Sequence, residues 1–80
     1  RVRYEDGRGT LSNMLRIASD EGFTASILST EREKVDGVGI VDMEVRFVGR
    51  PPLRHLMPHL QEIDGLRSVR FRDDDEEDDD

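Results

Sequence analysis

The sequence predicts an α+β fold: a four-stranded antiparallel sheet with two helices on one face, in the element order βαββαβ. Three observations predict it. Val41, Met43, Val45 and Phe47 alternate with Asp42, Glu44 and Arg46, which is the period of a strand with one wet face. Leu11, Met14, Leu15 and Ala18 recur at helical spacing. Asp36-Gly37, a pair that favours the tight turn of a hairpin, stands just before the alternating run.

In chain order, Val2 and Tyr4 alternate with Arg1, Arg3 and Glu5 and give a first strand. The stretch Asp6-Gly7-Arg8-Gly9-Thr10-Leu11 then turns the chain into the first helix. Gly7 and Gly9 tolerate positive φ and close approach by another group, while Asp6 is placed to accept hydrogen bonds from the unpaired amides of the first helical turn. Gly22 ends that helix. Phe23 to Thr30 follows as an edge strand, with Phe23, Ala25 and Ile27 on one face and Thr24, Ser26 and Thr30 on the other. Glu31, Glu33 and Asp36 read as the charged tip of the hairpin.

The third strand carries the alternating run, with Val41, Met43, Val45 and Phe47 facing inward. Pro51 and Pro52 suit the start of a second helix, whose buried stripe is Leu53, Leu56, Met57 and Leu60. Pro58 falls inside that stripe and predicts a kink or a shortened helix, and Asp64-Gly65 ends it. Val69 and Phe71 alternate with Ser68, Arg70 and Arg72 to form a last strand.

Composition divides the 80 residues into two parts. The last eight residues, 73–80, are all Asp or Glu, so of the 19 acidic residues 11 lie in 1–72 beside all 12 basic ones. The chain's net charge of −7 thus resolves into a nearly neutral domain, residues 1–72, and an acidic C-terminal tail, residues 73–80. Eight adjacent like charges without an apolar residue predict a disordered, solvating tail that binds hard divalent cations only weakly. With no cysteine there is no disulfide, no thiolate metal site and no cysteine nucleophile, which fits a reducing compartment. No apolar run is long enough to cross a bilayer and no signal peptide is present. The chain opens on Arg1, as expected of a piece of a larger protein.

Several function classes are disfavoured by the residues themselves. The open face of the sheet carries Arg1, Arg3, Asp42, Glu44, Arg46, Arg70 and Arg72 and no aromatic stacking platform, so cross-strand charge pairing is expected rather than a nucleic-acid surface. His55 and His59 stand four residues apart opposite the apolar stripe, with no cysteine or nearby helical carboxylate to complete a metal shell. No serine or threonine has a recognisable base partner. The expectation is a non-enzymatic module with no catalytic residue, no metal site and no cofactor.

With the order βαββαβ, the domain resembles the ferredoxin-like fold. The loop narrows that resemblance to ACT domains, small regulatory modules whose loop commonly reads Asp-x-Pro-Gly-x-Leu: Asp6, Gly9 and Leu11 match, and Arg8 stands in place of the proline. Together with Gly49-Arg50-Pro51-Pro52-Leu53, the Asp64-Gly65 turn and the Val2-to-Tyr4 strand, residues 1–72 resemble the C-terminal ACT-like cytosolic domain of MgtC/SapB-family membrane proteins, and the resemblance extends to actinobacterial, mycobacterial members. The resemblance implies a cytoplasmic domain of a multi-pass inner-membrane protein, with the membrane helices upstream of Arg1, serving adaptation to magnesium limitation, virulence and survival in macrophages. The domain's own role would be to regulate and to contact another protein or a second copy of itself through a sheet edge or a helix face. The alternative is a sensor of a small ligand, an amino acid or an anion, with Asp6, Gly7, Arg8 and Gly9 as the binding loop.

Overall fold

The run Val38–Gly49 has the alternation of a half-buried strand. In the computed structural model, which describes residues 1–71, it forms the longest strand shared by two neighbours. The elements are β1 (Val2–Glu5), α1 (Thr10–Asp20), β2 (Phe23–Val35), β3 (Val38–Gly49), a 3₁₀ turn (Leu53–His55), α2 (Met57–Gln61) and β4 (Leu66–Val69). All pairings are antiparallel and the strand order is β2-β3-β1-β4. Each helical crossover therefore joins strands that are not neighbours: β3 lies between β1 and β2, and β1 between β3 and β4. The tail 73–80 and Arg72 lie outside the described residues, and with them the expected disorder.

Register explains the core. Val2 is opposite Met43 and Tyr4 opposite Val41, which stacks four apolar side chains on one face, and Val69 extends the row across β1. Met14 and Ala18 of α1 and Leu60 of α2 bury themselves in the same cluster, together with Leu56 just before α2. One sheet face thus takes both helices, as the sequence predicts. The other face is wet and paired in charge: Asp42 accepts from Arg1 at 3.0 Å and Arg3 at 3.4 Å, and Arg3 reaches Glu33 at 2.9 Å. Ile40 is buried too, opposite Glu5 and Glu33 and out of phase with Val41 and Met43. No helix among the described residues is long and apolar enough to cross a membrane.

Three expectations are corrected, and the kink or shortening expected at Pro58 is found as a break. β2 does not end at Thr30 but runs to Val35, so Glu31 and Glu33 are strand residues and only Asp36-Gly37 forms the tip, with φ of 53° and 81°. Such a turn forces Val35 opposite Val38 and propagates pairing through a charged stretch that has no core beneath it. Thr30 lies opposite Met43 rather than on the face away from Phe23, because a register shift between Ile27 and Ser29 changes the alternation. The second helix is broken: Pro58 lacks the N–H that a continuous helix requires, so the chain makes a 3₁₀ turn, then starts α2 afresh with Pro58 in its first turn. β4 stops at Val69, although the Arg70 N–H still donates to the Arg1 carbonyl at 2.8 Å.

Inward residues of β3 are not equal. Val41 and Met43 are fully covered, while Val45 and Phe47 are half-buried, with Phe47 meeting Phe23 edge to face at 6.4 Å between ring centres. Val41→Asp is therefore expected to place an uncompensated charge in the core and to cost about 3–5 kcal/mol, enough to unfold a domain this small. Val45→Asp should cost less and Glu44→Gln almost nothing, as measured by thermal and urea unfolding; equal effects at Val41 and Glu44 would refute the register.

Candidate functional site

The turn between β1 and α1 holds all four candidate ligand residues, Asp6, Gly7, Arg8 and Gly9. Gly7 and Gly9 have φ of 87° and 71°, a left-handed region that side chains strain to enter, so the turn needs glycine at both positions. No group among the described residues approaches either of them closely: a Cβ built at either one meets none of them within 4 Å. Gly9 is the N-cap of α1, and no side chain among the described residues caps that helix. This corrects the role expected of Asp6. It stands three residues before the cap, its N–H donates to the Gly39 carbonyl at 2.9 Å, and its carboxylate accepts from Arg32 of β2 at 3.2 Å.

Arg8 is also engaged. Its guanidinium donates to Asp64 at 2.6 Å and to Glu5 at 3.3 Å. Glu5 accepts in addition from Arg67 at 3.1 Å, and a register shift in β4 leaves Arg67 as the extra residue opposite β1. The hydrogen bonds from Arg8 first and Arg67 second hold the Glu5 carboxyl below the usual carboxylate range. Asp64 and then Glu5 push the Arg8 guanidinium above its ordinary value.

In the sequence Asp64-Gly65 is a helix stop and a turn, with no sign of a link to the loop. In the fold that turn is the other half of the site. The Glu5 N–H donates to the Gly65 carbonyl at 2.9 Å, and the Thr10 hydroxyl donates to the Asp64 carbonyl at 2.8 Å. Thr10 is the one buried polar side chain among the described residues, and this bond satisfies it. A Cβ at Gly65, whose φ is 90°, would run into Thr10 Oγ1. The only hint in the sequence is that Thr10 stands four residues before Met14 and eight before Ala18, on the line of the other two buried residues of the helix.

The remaining candidates are dispersed. His55 is exposed in the 3₁₀ turn, while His59 in α2 lies 3.7 Å from Glu21, so the break at Pro58 separates the two histidines into different elements. Among the described residues no group of three His, Asp or Glu is placed to hold a metal ion. The loop is thus a neutralised charge cluster, Arg67–Glu5–Arg8–Asp64 with Asp6–Arg32 beside it, wrapped around the start of α1. Comparison with known protein families, with curated proteins and with solved structures returns no match for this chain.

Two measurements follow from this geometry. Gly65→Ala and Gly9→Val should each lower stability by about 1–3 kcal/mol, the first by collision with Thr10 and the second by backbone strain; wild-type unfolding midpoints for both would show that the two turns yield freely. Because the folded Glu5 pKa is depressed, its contribution to stability is present above the ordinary carboxylate range and fades as the pH falls through the folded value. Arg8→Ala should move the Glu5 carboxyl resonance back toward ordinary titration and shrink that acid-side dependence, with Arg67→Ala doing less. An unchanged Glu5 titration in Arg8→Ala would contradict the assignment.

Proposed function

We propose that this chain is a non-catalytic regulatory and interaction module of the ferredoxin-like ACT type, the cytosolic domain of an MgtC/SapB-family inner-membrane protein that serves adaptation to magnesium limitation and survival in macrophages. The split arrangement, in which each helix crosses over an intervening strand, supports the fold part of this reading. The observation that carries the interaction part is the outer edge of β2. This strand is 13 residues long, lies at the end of the sheet and leaves Ile27 and Leu28 about half exposed, at 48% and 51%. A long edge with open backbone groups and apolar side chains is a template for another strand, from a second copy or from a different protein. The loop, by contrast, spends its charged groups on one another.

One observation favours the alternative, an amino-acid or anion sensor: among the described residues the first amides of α1 have no side-chain cap, and Gly7 and Gly9 leave the space above them open. A single set of samples separates the two readings. Sedimentation of the chain should reveal association at or below about 1 mM, and Ile27→Lys with Leu28→Lys should weaken it at least tenfold without shifting the thermal midpoint. In the membrane protein that this reading names, the same pair should impair growth under magnesium limitation. Saturable NMR shifts confined to residues 6–13 on adding amino acids, phosphate or nucleotides, without association, would replace the edge reading by the sensor.

A further inference from the structure

Among the described residues, part of the other edge of β3 has no strand partner. β2 pairs with it from Val38 to Gly49, but β1 covers only Ile40 to Met43, so residues 44–49 face a groove on the β1 side. The groove has a volume of about 1000 Å³, an apolar lining that includes Phe47, Leu53, Val69 and Phe71, and a rim of arginines. Its charge is unusual for this domain. Arg1, Arg3, Arg8, Arg16, Arg32 and Arg67 all have carboxylate partners. Among the described residues the arginines without an ion pair are Arg46, Arg50, Arg54 and Arg70, and all four line this groove, with Glu44 as its single acidic residue.

We propose that this groove is the binding site of the chain's own acidic segment, residues 73–80. Three observations point to that occupant. The eight acidic side chains of 73–80 are the one block of carboxylates in the sequence without basic residues among them, and they complement the group of arginines that has no ion pair among the described residues. The chain arrives at the right place: β4 runs antiparallel to β1, hence parallel to β3, and Phe71 itself lines the groove. The reach is sufficient, because eight residues span up to about 26 Å, and residues 45–49 of β3 occupy about 16 Å. Docked there, the segment shields the open backbone of β3 from other strands, so it acts as a built-in competitor for any acidic or extended partner of the groove.

The test uses the full 80-residue chain and a variant whose tail is neutral, with Glu76→Gln, Glu77→Gln and Asp→Asn at the other six positions of 73–80. At about 0.01 M salt, where the Debye length is about 30 Å, amide NMR shifts between the two chains should map to residues 44–50, Arg54 and Arg70. They should collapse toward each other at about 1 M salt, where it is about 3 Å. A synthetic peptide of the sequence 73–80 added to the neutral-tail chain should restore the shifts. Arg46→Gln, Arg50→Gln and Arg54→Gln together should weaken that peptide roughly tenfold, whereas Glu44→Gln should not. Shift differences limited to the tail itself, or differences that salt leaves intact, would overturn the proposal. So would tail-dependent shifts that appear only with a doubled sedimenting mass, which would place the segment on a second copy. A short single-stranded oligonucleotide that binds both chains equally well would reassign the groove to nucleic acid.

Discussion

The sheet depends on a central strand of only four residues. β1 is the one element bonded to both β3 and β4, and it holds them with Val2 and Tyr4 toward the core and Arg3 and Glu5 toward water. Such a short middle strand limits the core to the patch where the helices overlap it. It also leaves the β2–β3 ribbon longer than its support, so the molecule extends 42 Å in one direction and 19 Å in another. One overhang is the charged hairpin arm around Asp36-Gly37. The other is the open edge of β3.

Burial decided which parts of this fold were legible in the sequence. β3 and α1 were readable because one face of each is covered, and a covered face imprints its period on the residues: Val41 and Met43 on the strand, Met14 and Ala18 on the helix. The outer half of β2 was not, since Glu31 to Lys34 have no core beneath them and carry no period; their strand is dictated by the partner across the hairpin. The broken second helix was half legible through Pro58. At the loop, the need for glycine could be read, whereas the attachment of Thr10 and Arg8 to Asp64-Gly65 could not, because residues more than fifty positions apart leave no local signature.

The ion pairs on the wet face contribute specificity more than stability. Exposed pairs of this kind are worth little one by one and weaken with salt. They are nevertheless sensitive to alignment. Arg3 meets both Asp42 and Glu33 only while β1, β3 and β2 keep their present offsets, and Glu5 collects Arg8 and Arg67 only while β4 carries its extra residue. A slipped sheet would lose apolar burial on one face and charge matching on the other, so both faces select the same register.

The irregularity at Leu28 gives β2 two identities. Before it, odd-numbered residues share the core side with β3, as Ile27 does opposite Val45; after it, even-numbered ones do, as Thr30 does opposite Met43. One inserted residue thereby turns Glu31 and Glu33 toward the arginines of the wet face and keeps two carboxylates off the apolar side. The strand is in effect two short strands spliced out of phase. Deleting Leu28 would leave Ser29 opposite Glu44 directly after Ile27 opposite Val45, a regular ladder with Glu31 and Glu33 still on their face, whereas flattening the bulge with Leu28 retained would exchange them for Thr30 and Arg32 on the face that Arg3 meets and put like charge beside like.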